Sequence, residues 1–94
     1  MSNENYIKIP IEILLDNKVC PNAKVLYGLV VLLSHKLGYC YANNTYLASY
    51  LNVGNRAITR LLKELSDNNY IKMEFKYKFQ RKIYIAKEFN TSII

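Results

Sequence analysis

Between Asn55 and Asn69 the chain has one regular structure open to it that buries its apolar residues on a single side. Ile58, Leu61, Leu62 and Leu65 fall at i, i+3, i+4 and i+7, which makes one apolar stripe on a helix. The opposite face carries Asn55, Arg56, Thr59, Arg60 and Lys63. Asn68-Asn69 ends this helix, because Asn tolerates the left-handed conformation. The period then changes at once. Ile71, Met73, Phe75, Tyr77 and Phe79 alternate with Lys72, Glu74, Lys76 and Lys78, a period of two that belongs to a strand.

A shorter helix precedes the first. Asn44 is its expected N-cap, with a side-chain oxygen able to accept from the first turn. Tyr46, Leu47, Tyr50 and Leu51 then recur at helical spacing. Asn52-Val53-Gly54 stops it, with Gly54 either taking a positive φ or opening the next helix without a side chain. Two helices across a tight turn, the second exposing Arg, Asn, Thr and Lys, make the pattern of a helix-turn-helix. Those side chains can hydrogen-bond base edges and phosphates. Taken alone, a basic helix face is more often merely solvated. The turn spacing and the strands that follow favour the binding reading.

The run Tyr46-Leu47-Ala48, Leu51-Asn52-Val53-Gly54-Asn55-Arg56-Ala57-Ile58, Leu62-Lys63-Glu64-Leu65 and Tyr70-Ile71 resembles a winged helix-turn-helix. Among these it resembles the N-terminal domain of plasmid and phage replication initiators of low-GC Gram-positive bacteria. Lys8-Ile9-Pro10 and Lys24-Val25-Leu26-Tyr27 also fit, so the resemblance covers roughly residues 6 to 86. Two positions depart from it. Gly54 stands where the family usually has a capping Ser, and Ala57 where it has Thr; both usual hydroxyls can touch phosphate. The resemblance implies DNA binding at a replication origin, or at a transfer or partition site. A transcriptional repressor uses the same fold, and a winged helix can also serve as a protein–protein module.

Ninety-four residues suggest one domain with a single modest core. The formal net charge of +6 is concentrated late in the chain. Residues 56 to 94 hold nine Lys or Arg against four acids, whereas residues 1 to 55 hold four against three. This asymmetry suits a nucleic-acid-facing second half. Cys20 and Cys40 are isolated and read as reduced thiols of a cytoplasmic protein. The polar start Met1-Ser2-Asn3-Glu4-Asn5 does not read as a signal peptide. The longest apolar run, Val25 to Leu33, is too short to span a bilayer.

Catalytic constellations are not apparent. His35 and two distant cysteines do not have familiar zinc spacing. Gly28, Gly38 and Gly54 make no phosphate-cradling loop, and the acids are scattered. Nine tyrosines invite comparison with DNA-nicking enzymes, but those need a metal-binding His cluster or a His-Arg set. The expectation is therefore no enzyme and no cofactor or metal.

The remaining elements complete the frame. Residues 1 to 5 are expected to be disordered, and Tyr6-Ile7-Lys8-Ile9 to form a short strand ended by Pro10. Pro10 to Leu15 suggests one helical turn. A long helix is expected from about 21 to 37, with Pro21 at its first position and Gly38 as its stop. This helix is apolar nearly all round, so it needs cover from the N-terminal segment or from a second subunit. Tyr39 to Ala42 is a short extended link. A second strand is expected at Lys82 to Lys87, with the hairpin tip near Lys78-Phe79-Gln80-Arg81. The tail, about 88 to 94, carries Phe89, Ile93 and Ile94.

The combined expectation is an α+β winged helix-turn-helix domain spanning residues 1–94: a three-helix core with a C-terminal β-hairpin wing. Its partner is double-stranded DNA, at repeated or palindromic sites. Asn55, Arg56, Thr59, Arg60 and Lys63 form the recognition-helix set; Lys76, Lys78, Arg81 and Lys82 form the wing set. A homodimer is expected through helix 21–37 or the C-terminal tail, with no membrane association.

Overall fold

The computed structural model describes residues 6–77 and 80–86. The described elements are α1 (Ile11–Leu14), α2 (Pro21–Leu33), α3 (Asn44–Leu51), α4 (Asn55–Asp67), β1 (Ile71–Tyr77) and β2 (Gln80–Ile85). This is the α+β winged helix-turn-helix arrangement: helices α2, α3 and α4 around one core, then an antiparallel hairpin.

The core forms around α4. Ile58, Leu61, Leu62 and Leu65 are all buried, together with Leu26 and Val30 of α2, Leu47 of α3, and Ile71 and Ile83 of the hairpin. Burying a side chain of this size contributes about 1.5–3 kcal/mol. The stripe on α4 therefore decides which way its polar face points.

Helix ends follow local chemistry. Asn43, not Asn44, caps α3: its backbone is extended and its Oδ1 accepts from the Tyr46 amide at 2.8 Å. The adjacent Asn44 side chain is engaged elsewhere. Asn52 takes the left-handed conformation at the end of α3 (φ 58°). Gly54 keeps a negative φ (−83°) and opens α4 without a side-chain cap. Asn69 (φ 67°) closes α4, and the Tyr70 amide reaches back to the Leu65 carbonyl.

Two expected elements differ. Helix α2 ends at Leu33 rather than near residue 37. The Ser34 hydroxyl donates to the Val30 carbonyl at 2.6 Å, and His35, Lys36 and Leu37 are exposed. With no buried face left to extend, the chain turns, and Gly38 (φ +83°) closes the turn. Tyr6 to Ile9 forms no strand. It lies across α2 at Gly28, where an added Cβ would stand 2.9 Å from Ile7 Cδ1 and 3.2 Å from the Lys8 carbonyl oxygen. Ile7 and Ile9 thus cover the helix instead of pairing with the hairpin. Cys40 makes that pairing, exchanging two 2.8 Å backbone hydrogen bonds with Ile83.

The hairpin starts its second strand earlier than expected, at Gln80 rather than Lys82. Arg81 faces Phe75 and Gln80 faces Tyr77, so Lys76 is an extra residue on β1 and marks a bulge. Residues 78–79 lie outside the described part, as do 1–5 and 87–94. The expected disorder at 1–5 and the tail contacts therefore fall on residues not described.

A long-range polar contact fastens the hairpin base to the loop after α1. The buried Tyr70 hydroxyl donates to Asp16 Oδ2 at 2.6 Å, and its ring meets Tyr27 edge-on, with centroids 5.8 Å apart. The Tyr70 hydrogen bond, followed by the Lys18 amide, holds the Asp16 carboxyl below its usual 3.8. Burial, then Asp16, pushes the Tyr70 phenol up from 10.0 to about 12.

Two outcomes follow from this frame. The stabilisation linked to Asp16 is present above about pH 4 and is lost as pH falls through its lowered value. That linked to Tyr70 is present below about pH 10 and is lost as pH rises toward 12. In urea unfolding, Tyr70→Phe is expected to show its full deficit between these limits and a shrinking one outside them. Gly28→Leu is expected to lower stability by about 1–3 kcal/mol, because residues 7 to 9 leave no room for the side chain.

Candidate nucleic-acid interface

The two ends of α4 differ in kind. Its first turns project Asn55, Arg56, Thr59 and Arg60 into solvent, all exposed. Arg56 and Arg60 have no hydrogen-bond or ion-pair partner among the described residues. Both are therefore open to an anionic or hydrogen-bonding ligand. Lys63 is exposed too, but its Nζ lies 3.0 Å from Asp67 Oδ2 one turn on. Exposed pairs of this kind contribute little and yield readily to a competing phosphate.

Asn55 and Thr59 are held in place by a polar chain that crosses three elements. Arg81 Nη1 donates to Asn44 Oδ1 at 2.7 Å, and Asn44 Nδ2 donates to Thr59 Oγ1 at 2.8 Å. Thr59 Oγ1 in turn donates to the Asn55 carbonyl at 3.3 Å, and Asn55 Nδ2 donates to Thr45 Oγ1 at 3.1 Å. The chain ties strand β2 to the starts of α3 and α4. It positions the wing relative to the helix that carries Arg56.

Arg81 is also bound to the Ala42 carbonyl, through Nη2 at 2.7 Å. Its half-buried guanidinium is held below its usual pKa by that burial, yet it stays charged. Of the wing set it is the residue most committed to the protein itself. Lys76 is exposed at the bulge. Lys82 Nζ sits 4.7 Å over the Tyr39 ring, and Lys78 lies outside the described residues. The structure thus brings Asn55, Thr59 and Arg81 into one network, and leaves Arg56, Arg60 and Lys76 projecting from it.

The sequence reading missed Asn44 and Thr45 as parts of this network. Asn44 has a competing local role as a cap, and nothing local marks a side chain that bridges residues 59 and 81. The departure at Gly54 leaves space: a Cβ there would meet nothing within 4 Å. The serine usual in the resembled family would fit, so its absence is not forced by packing.

Among the described residues no three of His, Cys, Asp and Glu gather to hold a metal ion, and no helix is long and apolar enough to cross a membrane. Burial raises the Cys40 thiol pKa, which keeps it a neutral core residue.

Arg81→Ala is expected to destabilise the fold by about 1–3 kcal/mol, since it leaves Asn44 and the Ala42 carbonyl without their charged donor. Lys76→Ala, at an exposed position, is expected to stay within about 0.5 kcal/mol of the parent. Thermal or urea unfolding of the two variants compares them directly.

Comparison with known proteins agrees with this fold. The fold is similar to a solved structure described as the N-terminal domain of a DNA binding protein, with a TM-score of 0.65 and 18% identity. The similarity covers 95% of this chain and 79% of that one; at this identity it shows the fold. No curated protein sequence matches the chain. The helix-turn-helix domain family matches residues 21–71, which run from the start of α2 through α3 and α4 to the first residue of β1. The chain belongs to the helix-turn-helix domain family.

Proposed function

We propose that this chain binds double-stranded DNA at specific sequences, with α4 in the major groove and the hairpin on the backbone or in the adjacent minor groove. One observation carries the reading. Arg56 and Arg60 stand exposed and, among the described residues, unpaired on a helix whose other face is locked in the core. Arg56 is the residue for a base contact, since a guanidinium pairs bidentately with guanine. Asn55, Thr59 and Arg60 lie beside it. Lys63, Lys76, Lys78 and Lys82 contact phosphates and fix register. Arg81 contributes its charge from within the network that sets the wing's position.

The resemblance to plasmid and phage initiators supports a mobile-element role, at an origin or at a transfer or partition site. The described likeness to the N-terminal domain of a DNA binding protein supports the DNA partner. Repeated or palindromic sites follow from pairing of two copies, with half-sites about one helical turn apart. The segment 7–9 covers α2 at Gly28. The exposed apolar residues Ile11, Leu14 and Leu15 therefore favour pairing through the α1 side rather than through the part of α2 around Gly28.

The test is a titration of the chain and two variants with its own neighbouring DNA and with random duplex. Arg56→Ala is expected to cost about 1–3 kcal/mol on the specific site only. Lys76→Ala is expected to weaken both DNAs alike and to lower the salt slope by about 0.9. If neither variant changes binding, α4 and the wing are not the reading surface.

A further inference from the structure

Between the end of α2, the start of α3 and the hairpin lie two adjoining hollows. One is lined by Leu33, Tyr41, Ala42, Asn43 and Tyr46. The other is lined by aromatic residues Tyr39 and Tyr41 and by Lys76, Arg81 and Lys82, among others. Tyr41 lines both, so the two hollows meet at that residue and together make a trough. Tyr41 is 68% exposed and Tyr46 47% exposed. Tyr46 is steadied by Tyr50: the rings meet edge-on with centroids 5.3 Å apart, and the two hydroxyls lie 3.1 Å from each other.

The charge of the trough is one-sided. Among the described residues, every charged side chain lining it is a cation and none is a carboxylate. Tyr39 already has a cation over its face, Lys82 at 4.7 Å. Tyr41 and Tyr46 are the open aromatic platforms, with Lys76 and Lys82 at the wing end. Exposed aromatic faces beside a row of cations are what unpaired, unstacked bases and their phosphates require. A DNA duplex keeps its base faces stacked inside and has no use for exposed rings. An apolar protein segment would gain nothing from the cations.

We propose that this trough binds single-stranded nucleic acid, with Tyr41 and Tyr46 stacking on bases and Lys76 and Lys82 holding phosphates. Its stacking platforms lie off the duplex-reading face of α4, while Lys76 and Lys82 are shared with the proposed duplex contacts, and the site goes beyond the function proposed above.

The test measures fluorescence anisotropy of a labelled oligo(dT) of about ten nucleotides, a probe that presents no major groove. The parent chain is expected to bind it. Tyr41→Ala is expected to lose about tenfold or more in affinity, and Tyr41→Phe to retain it, because stacking needs the ring and not the hydroxyl. Duplex binding, measured in parallel, is expected to be unchanged by Tyr41→Ala. The proposal is overturned if the parent does not bind oligo(dT), or if Tyr41→Ala binds it equally well. It is also overturned if Tyr41→Phe is as weak as Tyr41→Ala, which would assign the residue a hydroxyl contact to phosphate. Tyr41 is largely exposed, so the variants keep the fold; Tyr46→Ala repeats the test on the second platform. Loss of duplex binding by Arg56→Ala bears on the reading of α4 alone and leaves this result standing.

Discussion

Burial of four side chains on one helix sets the rest of the structure. Ile58, Leu61, Leu62 and Leu65 are each at most 2% exposed, and they meet residues from α2, α3 and both strands in one cluster. Hydrophobic burial has no direction of its own. Its direction here comes from helical spacing, which places Arg56, Thr59 and Arg60 on the opposite side of the same cylinder. A helix rotated by one residue in either direction would bury Arg60 or Lys63 in an apolar core, at a cost far above the gain from any single apolar contact. The presentation of the cationic face is thus a consequence of how the core forms.

Orientation about that helix is refined by polar contacts of a different kind. The chain Arg81–Asn44–Thr59–Asn55–Thr45 links three segments far apart in sequence. Hydrogen bonds are directional where apolar packing is not, so they fix the wing angle within the freedom that the core leaves. The Cys40–Ile83 bridge and the Tyr70–Asp16 contact do the same at the middle and base of the hairpin. The last two contacts join the hairpin to segments that precede α3.

Much of this was legible in the chain, and the exceptions share a cause. The stripe on α4, the three-residue turn, the left-handed Asn69 and the alternation of β1 all rest on neighbours within a few residues, where period and propensity act. The strap over Gly28 was half legible: the all-round apolar character of α2 demanded a cover, but sequence alone left the N-terminal segment and a second copy equally open. Close approach at a helical glycine shows that the N-terminal segment covers α2 at that point. The capping role of Asn43 over Asn44 was not legible, because two adjacent asparagines are equivalent as caps. The contact that separates them is made with residues 59 and 81. Arg81 was expected at the hairpin tip, and it stands inside strand β2. Its engagement with Asn44 and Ala42 depends on a register that a bulge at Lys76 shifts.

The electrostatics of α4 add a polarity that packing alone does not supply. The N-terminal end of a helix carries a partial positive charge from its unpaired amides, and the C-terminal end a partial negative one. Most helices offset this with acids in the first turn and bases in the last. Here the first turn holds no acid and the last no base. Arg56 and Arg60 lie toward the positive end, while Glu64 and Asp67 lie toward the negative end, where Asp67 also engages Lys63. Gly54 leaves the leading amides without a side-chain acceptor. The arrangement costs the isolated helix some stability, and the buried stripe offsets that cost. In return, charge and open amides at the start of α4 add their attraction for an anion. The N-terminal half of α4, the end whose Asn55 and Thr59 meet Thr45 and Asn44, is therefore the more electropositive end of the helix.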